Sequence, residues 1–338
     1  MPSQDAVPWY LAQSESELAG KFGRILKLEK RHLEDGLAHR ETSPWSLGVS
    51  TDEANSYRNR YSNIMPYEKS RVKLEVLHGN DYINASYVDV DVKGQSVLPG
   101  HYIATQGPTR YTWQQFWQMC YGECPGDDIV VVMVTPLIEQ GREKCFPYWP
   151  QGPKYNDEQR DIPRVQTAGD PNDSSEFACA LNLKFESTER YDNSYTLTTL
   201  TLAPSDGSSD PPKRVHHFYF DQWQDMSRPE EVLPIMKLCQ HVHMLSNPDS
   251  PIITHCSAGV GRSGTFIALD HMLHNTKDFG RRDSSMKLKS SLSYKDDLIE
   301  QIVIQMRSQR LGMVQSRSQF LFLYHAAMYL YSGGSMHL

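Results

Sequence analysis

A ten-residue stretch from His255 to Gly264 constrains this chain more than any other feature. It reads His-Cys-Ser-Ala-Gly-Val-Gly-Arg-Ser-Gly and follows an apolar run from Pro251 to Thr254, which is typical of a short buried strand. The apolar residues that come next, beginning with Thr265, predict the start of a buried helix. The stretch is therefore predicted to form a turn that joins a strand to a helix N-terminus.

Such a turn is suited to hold an anion. The unpaired amides and the positive dipole end of a helix N-terminus attract negative charge, and glycines let successive amides converge. The planar guanidinium of Arg262 matches two phosphate oxygens. Cys256 lies at the floor, where positive potential favours the reactive thiolate. We therefore expect a phosphoryl-transfer site with Cys256 as nucleophile, the phosphate being held by Arg262 and the loop residues Ser257, Ala258, Gly259, Val260 and Gly261.

Two other phosphate-binding patterns fit the same glycines less well. The loop satisfies the G-x-G-x-x-G pattern of dinucleotide sites, but the chain about 20 residues further on does not read as the second strand that such a site needs. A nucleotide-binding loop requires Lys and then Ser or Thr after its last glycine, where this chain has Thr265 and Phe266. A buried structural cysteine is the remaining alternative for Cys256.

The composition narrows the class of protein. A length of 338 residues with 39% hydrophobic residues suits one large domain or two ordinary ones, and a net charge of −7 does not favour nucleic-acid binding. No stretch approaches the roughly 18 apolar residues of a membrane-spanning helix, and the N-terminus has no signal-peptide core. We expect a soluble, monomeric, intracellular protein that is cytoplasmic with access to the nucleus.

The six cysteines argue against a structural metal. Only Cys120 and Cys124 are closely spaced, and neither a second pair nor a nearby histidine completes a zinc pattern. Free thiols in a chain of this size indicate a reducing compartment. The sequence therefore predicts no metal and no cofactor.

Hydrophobic periodicity predicts one α+β domain over residues 15–335, after a tail of residues 1–14. A capping box at Ser14 and Glu17 opens an N-terminal helix over about 15–38. The remaining elements follow in chain order. Further strands are predicted at 72–76, 102–105, 129–134, 195–202 and 215–220, further helices at 113–119, 229–245, 296–307 and 317–331, and polar loops at 150–175 and 280–292.

Six further motifs, in order along nearly the whole chain, make it resemble the cysteine-dependent protein tyrosine phosphatases of the non-receptor type, and most closely the fungal members. They are Asn59-Arg60-Tyr61, the run Asp81 to Tyr87, the run Tyr102 to Pro108, Lys144-Cys145 with Tyr148-Trp149-Pro150, Trp223-Gln224-Asp225, and Gly312 to Gln315 with Gln319. The resemblance implies a single phosphatase domain with a twisted mixed sheet flanked by helices. It also implies phosphotyrosine-containing proteins as partners, signalling kinases among them.

The resemblance assigns roles in the reaction to residues outside the loop. Asp225, on the loop that holds Trp223, is expected to protonate the leaving phenolate and then to activate water. Gln315 would orient that water with help from Gln319. Within the ten-residue stretch, Ser263 would donate a hydrogen bond to the departing thiolate, and His255 would tune the thiolate through the loop backbone.

Other residues are expected to shape the pocket. Tyr61 would form an aromatic wall deep enough to favour phosphotyrosine over the shorter phosphoserine, and Val260 and Met226 would line its apolar sides. Glu139 would hold Arg262 in a bidentate pair, and Lys144 would add positive charge that attracts a phosphopeptide.

Five positions depart from the family pattern. In the acid loop, Gln224 stands where a proline is usual, Met226 replaces an aromatic residue, and Ser227-Arg228 replace Gly-Val. Asn63 replaces an aspartate that grips the peptide backbone. The altered acid loop leaves open a catalytically weak phosphotyrosine-binding module, and a dual-specificity or lipid phosphatase is a third hypothesis.

Overall fold

The computed structural model describes residues 7–223, 232–279 and 295–331, and the fold is given for these ranges. Six α-helices are present there: α1 (Glu15–Ala38), α2 (Trp113–Glu123), α3 (Val232–Leu245), α4 (Gly261–Asn275), α5 (Leu298–Gln309) and α6 (Arg317–Tyr331). Short 3-10 helices cover Trp9–Ala12, Glu53–Arg58 and Pro153–Tyr155.

The same ranges contain fourteen strands, most of which join one large sheet. They are β1 (Arg71–Lys73), β2 (Val76–Gly79), β3 (Tyr82–Val90), β4 (Gly100–Thr105), β5 (Asp128–Met133), β6 (Ile138–Glu139), β7 (Arg142–Glu143), β8 (Gln159–Ile162), β9 (Val165–Thr167), β10 (Ser174–Phe177), β11 (Leu181–Tyr191), β12 (Tyr195–Pro204), β13 (Lys213–Tyr219) and β14 (Ile252–His255).

The large sheet is mixed, and its parallel centre positions the functional site. Nine strands run in the order β1-β3-β4-β14-β5-β13-β12-β11-β8. The four central strands β4, β14, β5 and β13 are parallel, whereas their outer neighbours pair antiparallel. The carboxyl ends of the central strands therefore meet at one edge, which is where open α/β sheets hold their ligands.

Both faces of the sheet are covered, so the central strands are buried along most of their length. On β5, Val130 and Val132 pack into the core shared with α3, α4, α5 and α6, whereas Ile129 and Val131 pack into the core under α2. This alternation follows from the two-residue repeat of a strand, and burial on both faces is what a continuous apolar run predicts. None of the helices in the described ranges has the length and apolar composition needed to cross a bilayer.

Most predicted elements are present, with small shifts at their ends. The helix predicted over 15–38 is α1, and its capping box forms as expected between Ser14 and Glu17. The predicted strands at 102–105, 129–134, 195–202 and 215–220 correspond to β4, β5, β12 and β13. The predicted helix start at 229, upstream of α3, and the predicted loop at 280–292 both lie outside the described residues.

Two predictions were wrong, and two long strands were not predicted. The segment 72–76 is two strands, because β1 pairs with β3 and β2 pairs with β10 in a different sheet. The segment 150–175, predicted as a polar loop, contains β8, β9 and the start of β10. Strands β8 and β9 lie at sheet edges, where polar residues that face solvent are common. The long strands β3 and β11 were not predicted, because buried polar residues in the first and exposed polar residues in the second hide the hydrophobic alternation.

Candidate active site

The predicted turn lies at the carboxyl edge of the sheet centre. Strand β14 ends at His255 and α4 begins at Gly261, so the loop 256–260 leaves the sheet directly into a helix N-terminus. The loop is packed against the end of β4, because the Gly107 amide donates to the Ser257 carbonyl at 2.8 Å. The structure thus confirms the predicted strand, turn and helix.

The backbone of the loop needs glycine at one point and is clamped at another. Gly259 has φ +75°, and a Cβ there would lie 2.0 Å from the Thr105 carbonyl oxygen, so no other residue fits without displacing β4. The buried Arg310 guanidinium donates to the carbonyls of Gly259 at 2.9 Å and Ala258 at 3.1 Å. Because Arg310 binds the carbonyls of Ala258 and Gly259 on one side of the loop, the loop amides are left for the opposite side, where Cys256 lies.

No motif in the sequence points to a role for Arg310 at this loop. It is completely buried and also donates to Asn84 Oδ1 at 2.9 Å and Ser86 Oγ at 3.1 Å on β3. Its place just before the motif at Gly312 was the only available signal, because arginine at the end of a helix is ordinarily a solvated residue.

The Cys256 thiol is buried but favours the ionised form. Burial raises its pKa, yet the positive charge of Arg262 and the nearby polar groups of Ser263 and Gly259 outweigh that cost, so that the pKa lies below the ordinary value. The Gly259 amide lies 3.2 Å from the sulfur. The side chain is 3% exposed, which leaves the sulfur at the floor of the loop. This environment is the one that makes a cysteine nucleophilic at neutral pH.

A buried chain of hydrogen bonds fixes His255 behind the nucleophile. Its Nδ1 donates to the Cys256 carbonyl at 2.9 Å, so Nε2 is the acceptor, and the Tyr148 hydroxyl donates to it at 2.6 Å. The Tyr148 oxygen in turn accepts from Nε2 of His217 at 2.7 Å. Burial lowers the pKa of His255 to about 4, which keeps the imidazole neutral. The expected coupling of His255 to the loop backbone therefore has a direct contact.

Arg262 is held at the start of α4 with its charge beside the sulfur. It is 1% exposed, and its Nη1 donates to the Trp223 carbonyl at 2.7 Å. Glu139 Oε1 lies 3.8 Å from the same nitrogen, which is an ion-pair distance but longer than a hydrogen bond. The bidentate pair that we expected is therefore replaced by a looser contact, because Oε2 of Glu139 faces Lys144 Nζ at 3.6 Å.

Tyr61 lies against one wall of the loop. Its hydroxyl is 2.8 Å from Ser257 Oγ, and that oxygen donates to the Lys144 carbonyl at 2.9 Å. Tyr61 and Ala258 are half-buried, and Asn63 is exposed. The structure thus brings the predicted wall residue to the nucleophile loop and leaves Asn63 at the surface.

The two predicted glutamines also reach the loop. A Cβ added to Gly261 would lie 3.1 Å from Gln315 Oε1 and 3.1 Å from Gln319 Nε2, so both amides flank the helix start. Their segment is held by Arg307, which donates to the Val314 carbonyl at 2.8 Å and to Glu29 at 2.6 Å. Glu29 belongs to α1, so the N-terminal helix supports this segment, a role that its hydrophobic spacing did not reveal.

One predicted lining residue is not at the pocket surface. Val260 is fully buried in the apolar core, where its carbonyl accepts from the amides of Gly264 and Val314 at 3.0 Å. Its position as the residue before α4 turns the side chain inward. The predicted acid Asp225 and the predicted lid residue Met226 lie outside the described residues, as does Gln224.

Comparisons with known proteins bear on this geometry. The model of the family described as "Protein-tyrosine phosphatase" matches residues 55–329. Tyrosine-protein phosphatase 1 of Saccharomyces cerevisiae is 54% identical over 97% of this chain and 98% of its own length. This chain belongs to the protein-tyrosine phosphatase family.

Other members of the family are more distant. Tyrosine-protein phosphatase 2 of Schizosaccharomyces pombe is 35% identical over 93% of this chain and 40% of its own length. A solved structure described as PTPN18 in complex with HER2 phosphopeptides has a TM-score of 0.70 at 24% identity, over 93% of this chain and 99% of that one. The second comparison establishes the shared fold, and with it the single α+β phosphatase domain that the sequence predicted. The boundaries at 15 and 335 stay a prediction.

Proposed function

We propose that this member of the family hydrolyses phosphotyrosine on proteins through a phosphocysteine intermediate, with Cys256 as nucleophile. The observation that carries the proposal is the buried thiol with a lowered pKa, beside Arg262 and under a glycine loop. Thiolate sulfur attacks phosphorus in line, and the bond from phosphorus to the phenolic oxygen breaks. Arg262 and the loop amides bind the equatorial oxygens, on which charge accumulates in the transition state.

The leaving group and the water each need a proton transfer. Asp225 would give its proton to the phenolate in the first step and would take one from water in the second. That water, oriented by Gln315 with Gln319, attacks phosphorus, the bond from phosphorus to sulfur breaks, and inorganic phosphate leaves. Ser263 would stabilise the departing thiolate, and His255 would fix the loop carbonyl behind it.

Substrate choice would follow from the depth of the pocket. The contact between Tyr61 and Ser257 supports an aromatic wall beside the loop. A phosphotyrosyl side chain is long enough to reach Cys256 past this wall, whereas phosphoserine and phosphothreonine are too short. Partners would be phosphotyrosine-containing proteins, signalling kinases among them, met in the cytoplasm or nucleus by a monomer. Comparing turnover on matched phosphotyrosyl and phosphothreonyl peptides separates this specificity from a dual-specificity enzyme.

The decisive test is turnover of a phosphotyrosyl peptide by the Cys256→Ser protein. We expect no measurable turnover at an unchanged melting temperature, because serine is far less ionised at neutral pH than cysteine in this loop. Measurable turnover by a stably folded Cys256→Ser protein would contradict the mechanism.

A second test concerns the acid. Asp225→Ala is expected to lower kcat by about 10² to 10⁴ and to leave peptide binding intact, because only proton transfer is lost. Asp221→Ala is the matched control, since Asp221 lies in the same segment and faces Arg190 at 3.5 Å. A loss of turnover in the control alone would move the acid to Asp221.

A further inference from the structure

A second group of potential ligands lies further along the helix that carries Arg262. It consists of His243 on α3 and of Asp270 and His274 on α4, and one ligand atom from each lies within 4.8 Å of the others. Asp270 and His274 are one helical turn apart, so their side chains share one face of α4. Helix α3 packs on that face and supplies His243.

The distances within this cluster are longer than those in an occupied tetrahedral zinc site, but short enough for side-chain rotation to close them. Asp270 Oδ1 lies 3.8 Å from His274 Nε2, and Oδ2 lies 3.9 Å from His243 Nδ1. Ligand atoms around tetrahedral Zn²⁺ are about 3.3 Å apart, given bonds of about 2.0 to 2.1 Å. The two imidazoles are stacked at 3.9 Å, so closure needs one ring to rotate. His243 is the more exposed of the two rings, at 38% against 7% for His274, so rotation of His243 meets the smaller steric barrier.

Asp270 has one carboxyl oxygen in this cluster that accepts no hydrogen bond from the described residues. It is completely buried, and its Oδ2 accepts from the Tyr102 hydroxyl at 2.7 Å. Its Oδ1 is completely buried and has no hydrogen-bond partner among the described residues. A buried carboxylate oxygen left without a partner is costly, and a cation beside it removes that cost. Tyr102 orients the carboxylate as outer-shell partners do in metal sites.

We propose that His243, Asp270 and His274 bind one divalent transition-metal ion, best matched by Zn²⁺, with water as the fourth ligand. Two imidazoles and one carboxylate are a common zinc ligand set, and rotation of one imidazole would bring the three ligand atoms toward tetrahedral positions. The exposed edge of His243 gives the ion a route of entry. The ion would take no part in the proposed hydrolysis of phosphotyrosine. The metal site is therefore a second property of the protein, independent of the proposed reaction.

The position of the ion would couple it to the active site. It would join α3, which begins just after the segment that holds Asp225, to α4, which begins at the phosphate loop. Asp270 lies roughly two turns, about 12 Å, along α4 from Arg262. A bound ion would therefore fasten the helix that follows the proposed acid to the helix that carries the phosphate-binding arginine.

The experiment measures ion binding in the absence of the active-site thiol. Co²⁺ and then Zn²⁺ are titrated into the full-length Cys256→Ser protein, with the visible absorption of bound Co²⁺ and the heat of Zn²⁺ binding as readouts. We expect one equivalent, a tetrahedral Co²⁺ spectrum, and a rise in melting temperature with Zn²⁺, because an ion that binds only the folded state stabilises it. No binding to this protein would overturn the proposal and would leave the proposed hydrolysis untouched.

Three variants, each made in the Cys256→Ser protein, assign the ligands. His243→Leu and His274→Leu are each expected to weaken binding at least about tenfold, and Tyr102→Phe to weaken it by about ten- to a hundredfold. His101→Leu is the matched control, since His101 forms an exposed pair with Asp89 at 2.8 Å and no third ligand joins them within the part of the chain that the structure describes. Retained affinity in either of the first two variants, or an equal loss in the control, would overturn the proposal. The Tyr102→Phe protein keeps all three ligands and so tests the site even if a leucine variant fails to fold.

Discussion

Two buried acidic groups lie on or beside the same helix and have opposite pKa shifts. Cys256, just before α4, is 3% exposed, and its pKa is lowered. Asp270, in the third turn of α4, is completely buried, and burial raises its pKa to about 7. Loss of water is similar at both positions, so burial alone does not decide the charge.

The difference comes from what surrounds each group. Cys256 meets the positive end of the α4 dipole, the Arg262 charge and amide donors, all of which favour an anion. Asp270 lies too far along the helix for that dipole and has a hydrogen bond from Tyr102. The surroundings of Cys256 therefore favour its anion, whereas those of Asp270 favour the neutral acid far more than the surroundings of an ordinary aspartate do.

In this comparison, the largest expected effect comes from removing the Arg262 guanidinium, which is present beside Cys256 and has no counterpart beside Asp270 among the residues that the structure describes. Arg262→Lys keeps the charge but loses the fork, so we expect kcat/KM on an aryl phosphate to fall by about 10² to 10³. The pH profile of iodoacetate alkylation checks that the thiol stays ionised. A kcat/KM near that of the parent protein would show that loop amides suffice without the fork.

The next effect concerns the clamp behind the loop. Arg310→Met leaves the carbonyls of Ala258 and Gly259 without their buried donor, at a cost of about 1 to 3 kcal/mol each. We expect a lower melting temperature and a fall in kcat/KM of about ten- to a hundredfold. Arg58→Met is the control, because Arg58 is equally buried but donates to Tyr82 and Asp173. Equal kinetic losses in both variants would assign the effect to general destabilisation.

A smaller effect is expected from a single donor to the sulfur. Ser263→Ala removes a hydroxyl that favours the thiolate, so the thiol pKa should move upward and alkylation should need higher pH. Turnover should fall by about tenfold, in keeping with one hydrogen bond to a charged group. Thr265→Val serves as control, because its hydroxyl donates to the Gly261 carbonyl within the helix. An unchanged alkylation profile in Ser263→Ala would remove Ser263 from the stabilisation of the thiolate.

The smallest expected effect is on the pH dependence of stability, and it concerns two buried histidines, His255 and His217. Burial lowers the pKa of His255 to about 4 and that of His217 well below its usual range. The unfolded chain therefore takes up protons first as pH falls below about 6.5, and the free energy of unfolding should decrease by about 1.4 kcal/mol per pH unit for each group. His217→Gln should make that decrease shallower in urea titrations from pH 7 to 4.5. A slope equal to that of the parent would mean that His217 is already charged in the fold.

The phosphate loop could be predicted because its parts are neighbours in the chain. Cys256, the glycines and Arg262 lie within one strand-to-helix turn, so local spacing alone specifies the anion site. The motifs also identified the family, and with it the wall at Tyr61 and the glutamines. The looser contact of Glu139 and the inward turn of Val260 were not predictable, because each depends on neighbours that are distant in sequence.

By itself, then, the sequence determined the family, the nucleophile and the order of the elements. Tertiary structure alone decided that Arg310 holds the back of the loop, that Glu29 of the first helix supports the glutamine segment, and that His243 meets Asp270 and His274. The reason is that side chains far apart in the chain meet only where sheet and helices pack. No pattern among neighbouring residues in the sequence predicts which of these distant side chains will be buried next to one another.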